Sequence, residues 1–308
     1  MMLKNVVSLF DGISCLQIAL ERANIPYENY YSSEVDKHCI TVTQNNYPST
    51  IQIGDVCDLK VSDFPQDIDL LVGGSPCQDF SLMGKQLNFS GNRSRLFFEY
   101  LRLKNDLNPK WFILENVVMR QDIQDAISDL LGVKPIKINS ALFSGQNRKR
   151  LYWTNIPNVS QPQDLKLCMD DILEKNRVLE SLYYTVGADY TGKTRGHVAD
   201  LHININQSEK RVYSSDYKCP TLTTMQGGHR QPKVLIGDVQ GDHIMRRLTP
   251  LECERLQTLP DNYTSEGVFF MDIKEENAPD NYYYSEKMLA WIERHGKRKN
   301  KSLRIVCW

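Results

Sequence analysis

The chain has 308 residues, of which 41% are hydrophobic and 24% are charged, and its formal net charge is −1. The composition is ordinary for a globular protein, and the length suffices for one large α/β domain or for a catalytic domain with a smaller insert. The near-zero net charge excludes a positive field over the whole protein, so any nucleic-acid binding must depend on local basic patches. Two such patches are Gln146–Arg150 and Arg294–Arg304, and the alternative is that either is simply a solvated surface. No apolar run approaches membrane-spanning length, so no membrane partner is predicted.

The N-terminal segment and the cysteines predict a reduced protein of the cytoplasm. The opening MMLKNVVSLFDG runs from a short apolar stretch directly into Asp11 and Gly12, which is typical of a first strand and not of a signal peptide. The eight cysteines form no CxxC pair, so neither a disulfide framework nor a finger-type zinc site is predicted. We therefore expect free thiols and no metal.

Short apolar runs alternate with helical patterns through the first half of the chain. The strand-like runs are Asn5–Phe10, Tyr27–Glu34, Ile51–Asp55, Ile68–Gly74 and Trp111–Asn116. SCLQIALERANI follows the first run with its apolar residues on one helical face, and RSRLFFEYLRLKNDL predicts a strong amphipathic helix between the last two runs. This alternation predicts an α/β fold with a parallel sheet and helices on both faces.

From about Gln161 the sequence becomes polar, with scattered short β-like runs and turn signals, which predicts a small β-rich insert. Regular patterning returns in RRLTPLECERLQTLPDNY. There Thr249 is placed to cap a helix, with Pro250 at its first position and Glu252 three residues after the cap.

Polar or conformationally special residues follow the strand-like runs of the first half. The carboxyl ends of parallel strands share one edge of a sheet, and ligands bind in the crevice outside that edge. The residues at these ends are Asp11, Gly12, Glu34, Asp55, Pro76, Cys77, Glu115 and Asn116. So many special residues at one edge predict a single functional site there.

Residues at the ends of the first three strand-like runs predict a nucleoside cofactor. FDGIS is a glycine-containing turn into a helix, although it lacks the full GxGxxG pattern. Glu34 lies about 20 residues further on, where an acidic side chain binds ribose hydroxyls, and Asp55 is placed to accept from an adenine amino group. Because no P-loop lysine is present, ATP is not favoured. S-adenosylmethionine, which carries adenosine but needs no pyrophosphate clamp, fits better.

Cys77 follows two glycines and Pro76, in a turn where the backbone is open to a ligand. An ordinary cysteine is most often a small buried apolar residue. A thiolate, however, is a strong nucleophile when its pKa is lowered. With Glu115 and the arginines of QNRKR at the same edge, the pattern indicates covalent activation of an electron-poor ring, followed by methyl transfer.

The ordered motifs resemble those of the DNA cytosine C5-methyltransferase family. They are LFDGIS, SEVD, GDV, GGSPCQDFS, FILENV, QNRKRLYW and, after a variable insert, RRLTPLECERLQTLPDNY. The proline-cysteine-glutamine, glutamate-asparagine-valine and QxRxR motifs are together highly specific, and outside the insert the match extends from about Val6 to Tyr263. LFDGIS and SEV are also similar to the eukaryotic de novo branch, while the chain length favours a compact bacterial or phage enzyme. The resemblance implies a Rossmann-like methyltransferase sheet with a β-rich recognition insert.

The resemblance also implies a role for each motif residue. Cys77 attacks C6 of cytosine, and Glu115 engages N3 and the exocyclic amine. Arg150, with Arg148, supports the base and the glutamate. The methyl group is added at C5 of a base flipped out of the duplex, and the segment Phe80–Arg95 closes over it.

Two further sets of contacts follow from the resemblance. The contacts with S-adenosylmethionine are Phe10, Asp11, Gly12, Ile13, Ser14, Glu34, Val35, Asp55, Val56 and Pro76. The contacts with double-stranded DNA are Gln78, Ser81, Lys85, Arg95, Gln146, Thr223, Thr224 and Arg247.

The predicted organisation has three segments. Residues 1–160 form the catalytic, cofactor-binding domain, residues 161–243 the target-recognition region, and residues 244–308 a return segment. The insert proper is about Leu165–Gly241, and PTLTTMQGGHRQPKVLI forms its distal edge, where polar side chains read base edges or form a plain β-turn region. In the return helix, Arg247, Glu252, Arg255 and Gln257 are expected to brace the insert against the sheet and not to act in catalysis.

Two departures from the family pattern bear on activity. Ser14 stands where many bacterial relatives carry a second glycine, and its side chain is expected to cap the following helix. The family's closing GN[SA] motif, which contacts the cofactor, has no counterpart after Tyr263, since the only Gly-Asn pair is Gly91–Asn92. This difference predicts either a replacement for that wall of the cofactor site or weakened cofactor binding.

Two alternatives to a DNA methyltransferase stay open. One is a tRNA cytosine C5-methyltransferase of the same fold, and the other is a catalytically weak, DNA-binding homologue. The sizeable insert favours DNA, and the presence of both Cys77 and Glu115 favours an active enzyme. A monomer in the cytoplasm of a bacterial or phage-infected cell is expected.

Overall fold

A computed structural model describes residues 2–75, 94–175, 182–223, 230–237 and 243–265. The chain forms two compact units. The first contains residues 1–139 and 149–162, and the second contains residues 140–148 and 163–308, in each case as far as they are described. Residues 243–265 therefore belong to the same unit as the described part of the insert.

The first unit is built on a seven-stranded sheet. Its strands are β1 (Leu3–Leu9), β2 (Tyr27–Ser33), β3 (Ile51–Gln52), β4 (Leu70–Gly73), β5 (Trp111–Val117), β6 (Ile136–Asn139) and β7 (Lys149–Thr154). The order across the sheet is β3-β2-β1-β4-β5-β7-β6. Strands β1 to β5 pair in parallel, which confirms the predicted sheet, whereas β7 runs antiparallel to both β5 and β6.

Helices cover both faces of this sheet, as the alternating pattern predicted. They are α1 (Cys15–Arg22), α2 (Lys37–Asn46), α3 (Ser94–Leu107) and α4 (Gln121–Leu131). Neighbouring residues of one strand pack into different cores, because side chains alternate across a strand. Val6 joins Leu20 of α1 on one face, and Val7 joins Phe97 of α3 and Ile127 of α4 on the other.

The described part of the second unit contains a five-stranded sheet and one α-helix. The elements are β8 (Ala188–Tyr190), β9 (His197–Leu201), β10 (Arg211–Ser214), β11 (Lys233–Gly237), β12 (His243–Arg247) and α5 (Pro250–Leu256). The order is β12-β11-β10-β9-β8, with only β10 and β11 pairing in parallel. These short strands confirm the β-rich character of the insert. No helix among the described ranges is long and apolar enough to cross a bilayer.

Helix α5 begins as the sequence predicted. The Thr249 hydroxyl accepts from the N–H of Glu252 (3.1 Å), and the Glu252 carboxylate accepts in return from the N–H of Thr249 (2.9 Å). The same carboxylate pairs with both terminal nitrogens of Arg246, at 2.6 and 2.8 Å, and both side chains are buried. Breaking a buried pair of this kind leaves an uncompensated charge, so Glu252 has a structural role within this unit, and its predicted bracing of the insert against the sheet stays a prediction.

A buried lysine secures the segment before β11. Lys233 donates from Nζ to the carbonyls of Glu209 (2.5 Å) and Gln231 (3.1 Å), and its side chain is almost completely buried. Burial lowers the pKa of Lys233 to about 8, against the opposing attraction of Glu209. The ammonium is thus held where solvent does not stabilise its charge.

We predict that Lys233 imposes a pH dependence on stability. Above pH 8, Lys233 keeps its proton in the unfolded chain but loses it in the folded chain. The free energy of unfolding therefore rises with pH, until the pH reaches about the ordinary pKa of lysine. Between pH 8 and 10, the wild type should gain on the order of 1–2 kcal/mol relative to Lys233→Met. Urea unfolding of both proteins across this range measures the difference. A pH-independent difference would contradict the prediction.

Candidate active site

The sheet register brings four predicted site positions into one row. Leu9 of β1 pairs with Ser33 of β2 and with Gly73 of β4, and Gly73 pairs with Leu114 of β5. The residues that come next on the four strands are Glu34, Phe10, Gly74 and Glu115, in spatial order. We call these four residues the edge row. The sequence predicted this edge correctly, because parallel strands end on the same side of a sheet.

The turn after β1 has an unusual backbone. Phe10, Gly12 and Ser14 have φ values of 57°, 60° and 60°, which lie in the left-handed region. That region is disfavoured for the two residues that carry a Cβ, each at a cost of about 1–3 kcal/mol, and persists only where the surroundings determine it. The turn directs the N–H of Gly12 to the Glu34 carboxylate, at 2.8 Å from Oε2.

Glu34 receives backbone N–H groups on both of its oxygens. Oε1 accepts from the N–H of Val35 (2.7 Å) and of Asp36 (2.9 Å), while Oε2 accepts from Gly12. An ionised carboxylate has about four acceptor positions, so, as far as the described residues show, one remains at Oε2 for a hydroxyl of a ligand. Val35 lies beside it with an exposed fraction of 66% and offers an apolar surface. This donor and acceptor set fits a ribose and its base.

The side chain of Asp11 is committed to the protein. Its carboxylate accepts from the hydroxyls of Tyr30 (2.7 Å), Ser32 (2.9 Å) and Ser14. Burial raises the pKa of Asp11, although the hydroxyl donors oppose this effect. The structure thus places Asp11 beneath the turn and not on an open surface, so the position of its side chain does not support the predicted contact between Asp11 and the cofactor.

The predicted cap by Ser14 is wrong. Ser14 occupies the position before α1, but its side chain makes no capping hydrogen bond to the helix. Its hydroxyl donates to Asp11 and accepts from Nε2 of Gln17 (3.1 Å). The left-handed backbone of Ser14 departs from the extended conformation of an ordinary cap, so the hydroxyl is used by the buried carboxylate instead.

The other predicted cofactor residues in this unit differ in exposure. Asp55 is exposed, and its Oδ1 accepts from the N–H of Cys57 (2.9 Å) in a turn after β3. Val56 and Ile13 are buried and support that turn and the β1 turn from below. Among these three residues, only the Asp55 side chain lies open to a ligand.

Glu115 and Arg150 form an ion pair at the other end of the edge row. Nε of Arg150 lies 2.7 Å from Oε1 of Glu115, and their side chains are 13% and 30% exposed, respectively. In the β5–β7 register Glu115 faces Tyr152 and Val117 faces Arg150, so the pair is a diagonal contact on one face of the sheet. The partly buried geometry fixes the direction of the carboxylate.

Gly74 and Asn116, the second of which the sequence placed among the strand-end residues, fit closely around this pair. A Cβ added to Gly74 would lie 3.2 Å from Oε2 of Glu115, so glycine leaves room for the carboxylate. Asn116 donates from Nδ2 to the carbonyl of Ser75 (3.1 Å), the residue before Pro76. The GGSPC and FILENV motifs contain the signal, since they place these residues directly beside the predicted catalytic ones.

Several predicted site residues fall outside the described ranges. These are Pro76, Cys77, Gln78, Ser81, Lys85 and Thr224, together with the predicted closing segment up to residue 93. Arg95 is described, and it lies exposed in the first turn of α3. In the first unit, the structure therefore brings Glu115 and Arg150 together near the end of β5, level with Gly74, which precedes Pro76 by two residues in the sequence.

The remaining predicted residues lie in the second unit. Thr223 is exposed, and Arg247 is half-buried at the end of β12. Arg148 is partly buried, and its carbonyl accepts from the N–H of Ser140 (3.0 Å). Its support of Glu115 stays a prediction.

Gln146 is fully buried, unlike a residue that contacts DNA directly. Its Oε1 accepts from Nε2 of Gln257 (3.3 Å), and its carbonyl accepts from the hydroxyl of Ser140 (3.0 Å). The prediction of a DNA contact is corrected here, because the side chain connects its loop to the end of α5. Gln257 thus supports the interior of this unit, and its predicted bracing of the insert against the sheet stays a prediction.

No group of three or more histidine, cysteine, aspartate or glutamate residues in the described part of the chain is arranged to hold a metal ion. The polar groups of the edge row are instead engaged with backbone N–H groups and a guanidinium. The site therefore offers acceptors, an ion pair and apolar surface, which suits an organic cofactor and a polar heterocycle.

Comparison with known proteins identifies the family. The C-5 cytosine-specific DNA methylase family matches residues 4–130. The type II methyltransferase M.Bsp6I of Bacillus sp. (strain RFL6) is 30% identical over 289 residues, covering 84% of this chain and 88% of that protein. The type II methyltransferase M1.ScrFI of Lactococcus lactis subsp. cremoris is 28% identical over 317 residues, covering 95% and 79%.

Solved structures share the fold. The crystal structure of the Dnmt2 methyltransferase of S. pombe has a TM-score of 0.65 at 18% identity and covers 84% of this chain and 88% of its own. The resemblance seen in the motifs is confirmed by the sequence relatives, and the edge row lies within or beside those motifs. The chain belongs to the C-5 cytosine-specific DNA methylase family and is a methyltransferase of that family.

Proposed function

We propose that this enzyme transfers a methyl group from S-adenosylmethionine to carbon 5 of cytosine in duplex DNA, through a transient bond between Cys77 and carbon 6. One observation carries the proposal beyond family membership. The Glu115 carboxylate is held by Arg150 at 2.7 Å, at the edge where β4 leads into Ser75, Pro76 and Cys77. A thiol and an oriented carboxyl at one sheet edge are the groups that addition to a pyrimidine requires.

The reaction needs an acidic group beside the cytosine ring because cytosine is a poor electrophile. Attack of the Cys77 thiolate on C6 pushes an electron pair toward N3, and a carboxyl that hydrogen-bonds N3 and the exocyclic amine stabilises that charge. Glu115 is the candidate for this group. Arg150 fixes the direction of its carboxyl, and the guanidinium's planar donors suit this role.

Addition at C6 turns C5 into a nucleophilic enamine carbon. Bound S-adenosylmethionine would supply the electrophilic methyl group for that carbon, and would leave as S-adenosylhomocysteine when the bond between its sulfur and the methyl carbon breaks. The C5 proton then leaves to a base, the electron pair re-forms the C5–C6 double bond, and the C6–S bond breaks to return the Cys77 thiolate. The protein thus ends the cycle unchanged, with one methyl group added to the DNA and one proton released.

The first half of the edge row is proposed to hold the cofactor. The remaining acceptor position on Oε2 of Glu34 suits a ribose hydroxyl, and the exposed side chain of Val35 suits the flat face of a base. Asp55 is exposed beside the neighbouring strand and suits an exocyclic amino donor. Phe10 and Gly12 present the turn against which the cofactor would lie.

Duplex DNA is the proposed substrate, and the second unit is proposed to recognise it. The target carbon is inaccessible inside a base stack, so the cytosine must be flipped out before Cys77 reaches C6. The family, which is one of DNA methylases, supports DNA over tRNA. Equal concentrations of duplex DNA and tRNA, offered with labelled cofactor, should give label in DNA alone; label in tRNA alone would reverse the assignment.

We predict that Cys77 forms the covalent bond. Duplex DNA that carries 5-fluorocytosine at target sites should trap the enzyme as a denaturant-stable adduct, because fluorine at C5 does not leave as a cation. Cys77→Ser should lose both the adduct and methyl transfer, whereas Cys168→Ser, a partly buried thiol of the second unit, should keep both. Denaturing electrophoresis separates free from bound DNA. An adduct that persists in Cys77→Ser would refute the role.

We also predict that Gly74 sets the position of Glu115. In Gly74→Ala, the added Cβ meets Oε2 of Glu115 at 3.2 Å, so the carboxyl must move by a few tenths of an ångström. Catalysis is sensitive to such displacements, and kcat should fall by about 10- to 100-fold while cofactor affinity stays within about twofold of wild type.

Gly132→Ala is the matched control for Gly74→Ala. Gly132 ends α4 with φ of 73° and has open space around it, so alanine should cost about 1 kcal/mol of stability and leave kcat unchanged. Single-turnover rates and thermal melting of both variants separate the two effects. An unchanged rate in Gly74→Ala would show that the Glu115 position is not critical.

A further inference from the structure

The buried carboxylate of Asp11 is the centre of a hydrogen-bond network beneath the β1 turn. It accepts from Tyr30 and Ser32 of β2 and from Ser14 at the start of α1. All three donors are at least 98% buried. One carboxylate therefore ties the second strand to the residue that begins the first helix.

The network continues through neutral groups. Gln17 donates from Nε2 to the hydroxyls of Ser14 (3.1 Å) and Thr50 (2.9 Å), and its Oε1 accepts from the hydroxyl of Tyr27 (2.7 Å). Asp11 is the acidic member to which the hydroxyls converge. Without its two oxygens, several buried hydroxyls would lack an acceptor, which is costly in a site that excludes water.

Backbone hydrogen bonds of Asp11 also hold the turn in place. The N–H of Asp11 donates to the carbonyl of Ser33 (3.2 Å), and the N–H of Ser14 donates to the carbonyl of Asp11 (3.1 Å). Asp11 is thus fixed from both its side chain and its backbone, between the left-handed residues Phe10 and Gly12. Such conformations persist when surrounding contacts determine them.

The fixed turn determines the position of the Gly12 N–H group. It holds the N–H of Gly12 at 2.8 Å from Oε2 of Glu34, the same oxygen that keeps an acceptor position for a ligand. A shift of the turn would therefore alter the group proposed to receive the ribose, although Asp11 itself lies below the surface.

We propose that Asp11 is a positioning residue for the cofactor site, which sets the affinity for S-adenosylmethionine through the Gly12–Glu34 hydrogen bond and without touching the cofactor. This inference rests on the proposed function for the identity of the ligand. It gives FDGIS a physical reason for its aspartate, since the carboxylate and the Ser14 hydroxyl together stabilise a turn that lacks the second glycine.

The test compares Asp11→Asn and Tyr30→Phe with the wild type and with Tyr47→Phe. The Tyr47 hydroxyl donates to the Glu21 carboxylate (2.9 Å) at the surface of the same unit. Tyr47→Phe therefore removes the same kind of hydrogen bond as Tyr30→Phe, but one that does not involve Asp11. Calorimetry with S-adenosylhomocysteine, which lacks the reactive methyl group, should show that Asp11→Asn weakens binding by about tenfold, Tyr30→Phe less, and Tyr47→Phe not at all.

Two further readouts separate positioning from general destabilisation. Amide exchange at Gly12 should accelerate about tenfold in Asp11→Asn while the amides of Val6 and Val7 in β1 keep their protection. In steady-state assays, the KM for the cofactor should rise with kcat and the KM for DNA unchanged. Wild-type affinity together with wild-type protection of Gly12 in Asp11→Asn would overturn the inference.

Failure of the proposed function gives a different pattern. If the wild type itself does not bind S-adenosylhomocysteine or S-adenosylmethionine, the identity of the cofactor is wrong. The exchange rate of the Gly12 amide still tests the positioning role in that case, because it needs no ligand. Faster exchange in Asp11→Asn would uphold the role of Asp11 in the turn, and unchanged exchange would refute it.

Discussion

The reversal of β7 is the constraint on which the catalytic half of the site depends. Parallel strands carry their last residues to one edge of a sheet, and an antiparallel neighbour begins at that same edge. Because β7 runs against β5, Arg150 at its start lies diagonally across from Glu115 near the end of β5. A parallel β7 would have placed its first residues at the opposite edge.

Three carboxyl groups near this edge differ in their partners, and the partners set what each group can do. Glu34 is held by backbone N–H groups and keeps an open acceptor position. Asp11 is enclosed by hydroxyls and acts on the turn above it. Glu115 is oriented by a guanidinium and has space left by Gly74. The same chemical group is thus proposed to support ligand binding, positioning and catalysis at neighbouring strand ends.

Local patterns were enough to predict much of the fold. Apolar runs located β1, β2, β4 and β5, and the Thr249 to Glu252 spacing located α5, because strand burial and helix capping depend on nearby residues. The edge row followed from the parallel arrangement alone. The third strand proved shorter than predicted, at two residues, and Gly54, with φ of 83°, departs from the extended backbone of a strand.

Features that depend on distant contacts were not predictable. The sequence does not reveal that β7 reverses, that Gln146 meets Gln257 in the interior, or that Ser14 bonds to Asp11 and not to its helix. Arg246 and Arg247 are neighbours on β12, so their side chains point to opposite faces of the sheet and one of them is expected to be buried. Arg246 is the buried one because it pairs with Glu252, which the strand pattern alone does not show. Each of these outcomes is set by a residue far away in the chain or by a competing local acceptor.

The most direct test of the account is mass spectrometry of nucleosides from unmethylated duplex DNA that has been incubated with the enzyme and S-adenosylmethionine. The account predicts 5-methylcytosine as the product, confined to cytosines in one short sequence context when the same DNA is sequenced after bisulfite treatment. Methyl groups on the cytosine amino nitrogen or on adenine would contradict it. So would the absence of any transfer by folded enzyme that binds both DNA and cofactor.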